Sequence, residues 1–346
     1  MPARPSVARR AVSVSSESLV TVGKLPGHER MPALITSSFP AFRLDLWASS
    51  NSKYLEELLI QFGALLFRGF DLPGPDEFDR FARSVTDVMK YRERSSPRSE
   101  IIRNIYTSTD YPHDQHIFPH NEHSYAHEFP LKLFFYCQLP ADTGGQTPIA
   151  DIRRITHRID PAIRRRFAEK GWMWVRNFGH GFGLPWQTVF DTSDKQQVLE
   201  YCNAHAIAAE WNGEKLRTRQ VRPAMIQHPR TGEWLWFNHA TFFHVTTLDP
   251  LMTEHLTANF GPDELPNNTF YGDGAPIEDS VLKELREAYL AECTVFDWER
   301  SDVLLIDNVL TAHARRSYTG PRKVLVAMGD AFQRTDIALP FRLDCT

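Results

Sequence analysis

The residues whose chemistry stands out in this 346-residue chain lie in one short stretch, FPHNEHSYAHEFP, residues 118–130. In an extended segment alternate side chains share a face, so His120 and Glu122 project together while Asn121 and His123 point away. An imidazole and a carboxylate so placed can grip one divalent cation from one side. The third ligand must come from elsewhere, and the candidate is His313, in the segment DNVLTAHARRSYTGPRKVLVAM, residues 307–328. Two histidines and one carboxylate leave half of an octahedral sphere open, the arrangement of non-heme iron(II) oxygenases that bind a co-substrate and dioxygen together. Taken alone, H-x-E is a weak signal, because surface strands and satisfied core histidines produce it too. His116, His123 and His127 also offer other ligand sets.

The elements that would position these residues follow from periodicity and punctuation. Residues 53–62 put Leu55, Leu58, Leu59 and Phe62 on one helical face, and Asp76–Met89 repeats the pattern with Phe78, Phe81, Val85 and Val88. GALLFRGF at 63–70 is a short β run between glycines, and the continuous apolar run Leu131–Cys137 reads as a buried strand. A helix opens at Asp160–Pro161 and stops at Gly171, followed by strand Trp172–Arg176. A further helix follows Ser193, with Val198, Tyr201, Cys202 and His205 inward. Trp234–Phe237 is strand-like, Ser280–Glu292 is an amphipathic helix, and Val303–Ile306 and Lys323–Met328 are strands.

Helices that interrupt short β runs without regular βαβ alternation indicate a mixed α/β chain with a mainly β core and helices packed outside it. No composition shift marks a linker, so residues 21–346 are expected to form one domain, preceded by a disordered tail over residues 1–20.

Composition closes off several classes. Lys plus Arg number 39 against 43 Asp plus Glu, a net charge of −4, which is not the basic balance of a nucleic-acid binder. Hydrophobic residues make up 42% of the chain, enough for a sizeable core. No apolar run reaches the ~18–20 residues of a membrane-spanning helix. Cys137, Cys202, Cys293 and Cys345 are scattered, as reduced thiols of a cytoplasmic protein would be.

The chain resembles the taurine-dioxygenase-like family of iron(II)/2-oxoglutarate oxygenases from about residue 60 to 330. The matching segments are GALLFRGF, YTSTDYP at 106–112, HNEHSYAHEFP at 120–130, CQLPADTGGQTPIAD at 137–151, WFNHATFFH at 236–244 and YGDGAPIED at 271–279. The His313-to-Met328 segment completes the series. Within the family the chain is most similar to a branch that hydroxylates amino acids or aminoacyl groups in peptide-antibiotic pathways, such as the syringomycin-type aspartyl hydroxylase.

The resemblance implies a double-stranded β-helix (jelly roll, cupin-like) with flanking helices. It implies Fe(II), 2-oxoglutarate and O2 as the reaction's requirements, and His120, Glu122 and His313 as metal ligands and catalytic centre. Glu122 stands where the family more often has aspartate, and a carboxylate at that place argues against halogenation. Thr147 and Arg322 are implied as the contacts to 2-oxoglutarate, Arg322 because its planar fork matches a carboxylate. The nine-residue step from His313 to Arg322 is shorter than usual in the family, and adjacent Lys323 is the alternative cation.

The implied reaction is hydroxylation of an unactivated C–H bond of a small molecule, an amino acid or an aminoacyl group presented on a peptidyl carrier protein. Desaturation or epoxidation would use the same apparatus. No nucleic acid or membrane partner is expected, and a homo-oligomer fits the family.

Substrate contacts are assigned to Asn238, His239, Arg103 and Arg316, each with a plain structural alternative: satisfied polar groups in an aromatic layer, a cross-strand pair, or a solvated arginine. The aromatic and glycine run Trp172–Trp186 reads either as a substrate-region flap or as a core edge with tight turns. Two other functions stay open: a zinc hydrolase built on the same three ligands, and a non-catalytic β-barrel binding protein with structural histidines.

Overall fold

The strand Glu128–Leu139 is buried over most of its length, and its lack of polar alternation has a simple cause: both of its faces are covered. Phe134 and Tyr136 point to one side, where with Val303, Leu305 and Leu325 they pack against helical residues Trp47, Leu55, Leu59, Phe78 and Phe81. Leu133, Phe135 and Cys137 point to the other, among Leu304, Ile306, Val324, Val326, Ile149, Phe296 and Trp298. The structure, a computed structural model, describes residues 19–39, 42–90 and 98–334.

That strand sits within an eight-stranded sheet. Its order is Val20–Lys24, Ala33–Ser37, Ala64–Arg68, Val303–Asp307, Glu128–Leu139, Lys323–Gln333, Ile105–Thr107 and Glu100–Ile102. All neighbours are antiparallel except Ala33–Ser37 and Ala64–Arg68, which run parallel. A second sheet is ordered Cys293–Thr294, Ile149–Asp151, Thr311–Arg315, Ile117–His120. A third joins Ile207–Asn212, Lys215–Arg222, Trp172–Phe178 and Asn267–Tyr271.

The chain passes from the first sheet to the second through residues 308–310 and returns as Lys323–Gln333. Sheet thus dominates a mixed α/β fold. No helix of the described residues is long and apolar enough to cross a membrane.

Most expected elements are present, with shifted ends. The helix expected over Asp76–Met89 spans Pro75–Val85. It stops because residues 86–89 join the sheet edge, where Met89 N–H donates to Met328 O and Val88 bridges Gly329. The helix Pro161–Lys170 is capped as its sequence indicates, the Asp160 carboxylate accepting from Ala162 N–H.

The hairpin Ile207–Asn212/Lys215–Arg222 is absent from the sequence reading, and its second strand explains why. The inward residues there are Leu216, Thr218, Gln220 and Arg222, so the buried face is mostly polar. The run around Trp172–Trp186 is a core edge: Trp172, Trp174, Phe178 and Trp186 are buried, and positive φ at Gly179, Gly181 and Gly183 makes the turn between them. Of the expected tail, residues 1–18 lie outside the described residues, and Val20 already begins a strand.

Candidate active site

His120 ends the strand Ile117–His120, and its register partner on the neighbouring antiparallel strand is His313. Directly opposed residues share a face, and the two imidazole centroids lie 4.4 Å apart. Glu122 reaches the same point differently from expectation. The strand stops at His120, and residues 122–125 form a turn with His123 at φ +55°, so Glu122 is carried on a turn rather than by strand alternation.

Asn308 holds that turn. Its Oδ1 accepts from Glu122 N–H at 2.8 Å, and its Nδ2 donates to Glu122 O at 2.9 Å and Pro130 O at 2.8 Å. Asn121 Nδ2 donates back to Asn308 O at 2.6 Å. Asn308 is in turn fixed by Asp307, whose carboxylate accepts from Val309 and Leu310 N–H and meets His228 Nε2 at 3.0 Å.

One ligand atom from each of His120, Glu122 and His313 lies within 4.8 Å of the other two. The donors are also in the protonation states that a cation needs. Burial pushes both His120 and His313 below the usual imidazole range, keeping them neutral. His120 Nδ1 lies 2.9 Å from Phe118 O; as donor to that carbonyl it leaves the Nε2 lone pair for a ligand.

Burial alone would raise the Glu122 carboxyl. Arg98 above all, then His123, His313 and His120, outweigh it and hold the group ionised, well below the usual carboxylate range. Arg98 Nη2 donates to Glu122 Oε2 at 2.7 Å, with both side chains 4% exposed. Two neutral imidazoles and an ionised carboxylate on one side of a point fit a divalent iron with open positions.

Both imidazoles line a cavity shared with Arg98, Ser108, Phe135, Thr147, Arg322 and Val324. Arg322 Nε donates to Gly145 O at 2.9 Å and Nη1 to Ser108 Oγ at 3.2 Å. Burial pushes its pKa down to about 10, still far above neutrality, so the charge stays. Lys323, the alternative anchor, is exposed and lies outside the cavity lining.

The two glycines before Thr147 make this wall possible. A Cβ at Gly144 would lie 2.2 Å from Ser317 O, and one at Gly145 would lie 3.0 Å from Arg322 Cδ and Nε; both residues have positive φ. Thr147 is buried and accepts a hydrogen bond from the Trp298 indole.

The four expected substrate contacts are not brought together. Arg103 pairs with Asp76 and Asp79 of the helix Pro75–Val85 and is absent from the cavity wall. Arg316 is exposed and also outside the lining; Arg315 lines it instead, its guanidinium donating to the carbonyls of Thr109, Tyr111, Pro112 and Gln115 and pinning that loop.

Asn238 is a structural group, donating to Ala224 O and accepting from Ala240 N–H. His239 lies behind the site, its ring 5.7 Å from that of His120 and its Nδ1 hydrogen-bonded to Ser124 Oγ. Sequence reasoning missed Arg98, which nothing in the sequence sets apart from nearby Arg92 and Arg94, and Ser108, which lies inside the YTSTDYP segment.

The sequence profile described as "Taurine catabolism dioxygenase TauD, TfdA family" matches residues 27–328. The chain is similar to the dapdiamide synthesis protein DdaC of Enterobacter agglomerans, at 38% identity over 300 residues covering 86% of this chain and 91% of that one. It is similar also to a clavaminate synthase-like protein of Arabidopsis thaliana, at 28% identity with the same two coverages, 86% and 91%. Among solved structures, PvcB of Pseudomonas aeruginosa shares the fold: TM-score 0.54 at 14% identity, covering 92% of this chain and 94% of that one.

Proposed function

Because the chain belongs to the TauD/TfdA family of dioxygenases, we propose that it hydroxylates an unactivated C–H bond of a small, carboxylate-bearing compound of amino-acid origin, with His120, Glu122 and His313 as iron ligands. The enzyme is an oxidoreductase, an Fe(II)- and 2-oxoglutarate-dependent dioxygenase of secondary metabolism. One observation carries the site assignment: two imidazoles and a carboxylate from distant parts of the chain converge on one point beside a cavity.

Bound there, iron supplies the oxidising power, drawn from dioxygen and from the decarboxylation of 2-oxoglutarate to succinate and carbon dioxide. The chain's own residues do the rest. Arg322 anchors a carboxylate of 2-oxoglutarate through its charged fork, and Thr147 donates a hydrogen bond to the same co-substrate. Phe135, Ile117, Val324 and Val326 line the cavity with apolar surface that excludes water. Arg315, the lining arginine assigned to neither Glu122 nor 2-oxoglutarate, suits an anionic group on the substrate.

Similarity to a dapdiamide synthesis protein supports an amino-acid-derived compound. The same reading leaves that compound free or tethered to a peptidyl carrier protein, and the enzyme monomeric or a homo-oligomer; assays with both substrate forms and light scattering decide. The facing eight- and four-stranded sheets are read as a double-stranded β-helix, and residues 21–346 as one domain. That reading is supported by strands from both ends of the described chain sharing one sheet. A zinc hydrolase or a binding protein on this chain would leave Thr147 and Arg322 without a role.

The test is substrate-dependent succinate formation across a panel of amino acids and their acyl derivatives. Wild type should couple succinate to a product heavier by one oxygen atom, and Glu122→Ala should lose both. Full turnover by Glu122→Ala would refute the ligand assignment.

A further inference from the structure

Thr147 Oγ1 has one hydrogen-bond partner among the described residues, the indole Nε1 of Trp298 at 3.1 Å. An indole N–H can only donate, so the hydroxyl must be the acceptor in this pair. One of its lone pairs is thereby occupied, and its own proton has no acceptor among the described residues, on a residue that lines the cavity. We propose that Trp298 is a positioning residue for 2-oxoglutarate: its indole N–H sets the polarity of the Thr147 hydroxyl, so that the proton points into the cavity to meet a carboxylate. A carboxylate only accepts, so a hydroxyl presented as a donor is the matching half of that contact.

The surroundings hold the indole in place. Trp298 is 8% exposed and packs edge-on against Phe296 with ring centroids 5.3 Å apart. The backbone beside it is tied down by Arg68, whose Nη2 donates to Asp297 O at 2.9 Å while its Nε donates to Asp302 Oδ1 at 3.0 Å. Asp302 accepts from Glu299 N–H at 2.8 Å, and Gln146, next to Thr147, donates to Asp297 Oδ1 at 2.9 Å. Arg322 grips Gly145 O on the other side. The segment Gly145–Thr147 is therefore held between a guanidinium and an indole, both donor-only groups, which leaves the hydroxyl with a defined direction rather than free rotation.

The inference rests on the reading of Thr147 as a 2-oxoglutarate contact and adds the residue that makes it effective. The test is calorimetric binding of 2-oxoglutarate to anaerobic Mn(II)-loaded protein, in a double-mutant cycle of Trp298→Phe and Thr147→Val. Trp298→Phe should weaken binding about fivefold and Thr147→Val about tenfold, while the double variant matches Thr147→Val alone. Mn(II) affinity should be unchanged in Trp298→Phe.

Additive losses, or an unchanged dissociation constant in Trp298→Phe, would overturn the proposal. Should Trp298→Phe not fold, site-specific replacement of Trp298 by 3-benzothienylalanine keeps the bicycle and removes only the N–H, and the same outcomes apply. Failure of the Mn(II)-loaded wild type to bind 2-oxoglutarate at all would instead sink the proposed function.

Discussion

An imidazole binds iron only when neutral, and the protonation of the three candidate ligands is set by burial and by Arg98. His120 and His313 are held below the ordinary imidazole value of 6.5 by desolvation, and Glu122 is held ionised. Protons therefore begin to compete with metal only below pH 6.5. Calorimetric Mn(II) affinity should change by no more than about twofold from pH 8 to 7; a tenfold loss over that step would contradict the account. The same burial makes the metal-free fold acid-sensitive. His123 and His244 are pushed down to about 4, so the unfolded chain takes up their protons first as pH falls through 6.5. Their stabilising contribution is complete above 6.5 and lost towards about 4, which scanning calorimetry would read as a falling melting temperature across that window.

Arg322→Lys should weaken 2-oxoglutarate binding by about tenfold or more, because a point charge replaces a fork whose Nε and Nη1 are already fixed on Gly145 O and Ser108 Oγ. At this scale the sequence was informative where chemistry is rare: His120, Glu122 and His313 stand out by type and spacing. Arg103 and Arg316 show the limit, since an arginine's charge says nothing about which wall it faces. Arg315, adjacent to Arg316, is the one that reaches the cavity, across a strand irregularity after His313 that residue types alone do not reveal.

The elements explain how candidate ligands so far apart in sequence hold their places. His120 and His313 are paired by strand register, but Glu122 depends on a side chain 186 residues away. Asn308→Ala would leave Glu122 N–H and Pro130 O without partners in a dry interior, at a cost of about 3 kcal/mol. It should also loosen the carboxylate enough to weaken metal binding roughly 10–100-fold; thermal melts and Mn(II) calorimetry read the two effects separately.

Gly144→Ala places a Cβ 2.2 Å from Ser317 O at a positive φ, and should displace the small Thr143–Gly144/Tyr318–Thr319 pairing beneath the Arg322 wall. A destabilisation of at least about 1–3 kcal/mol is expected in a denaturant titration. Strands with apolar runs and helices with capped ends were legible in the sequence. The turn that carries Glu122 was not, because its cause is a buried amide, Asn308, contributed by the distant connection between the two sheets.

Across the whole molecule, the site joins the two sheets: one ligand strand is continuous with the turn from Val303–Asp307, and the cavity wall is shared by Phe135 and Val324 of the large sheet. A cation held by all three ligands should therefore stabilise the entire fold. At a hundredfold excess over its dissociation constant the gain is about 2.7 kcal/mol. It should appear as a rise of several degrees in melting temperature that a chelator reverses and His313→Ala abolishes. The mixed architecture was readable from helices that interrupt short β runs without regular alternation, whereas strands with polar inward faces, such as Lys215–Arg222, escaped a reading based on hydrophobic period.

The most direct measurement of the central claim is anaerobic Fe(II) titration of the wild type beside Glu122→Ala and the double variant His120→Ala/His313→Ala. The account predicts one iron per chain in the wild type, a weak visible band on adding 2-oxoglutarate, and neither binding nor band in the two variants. One tightly bound iron with the same band in the double variant would contradict it.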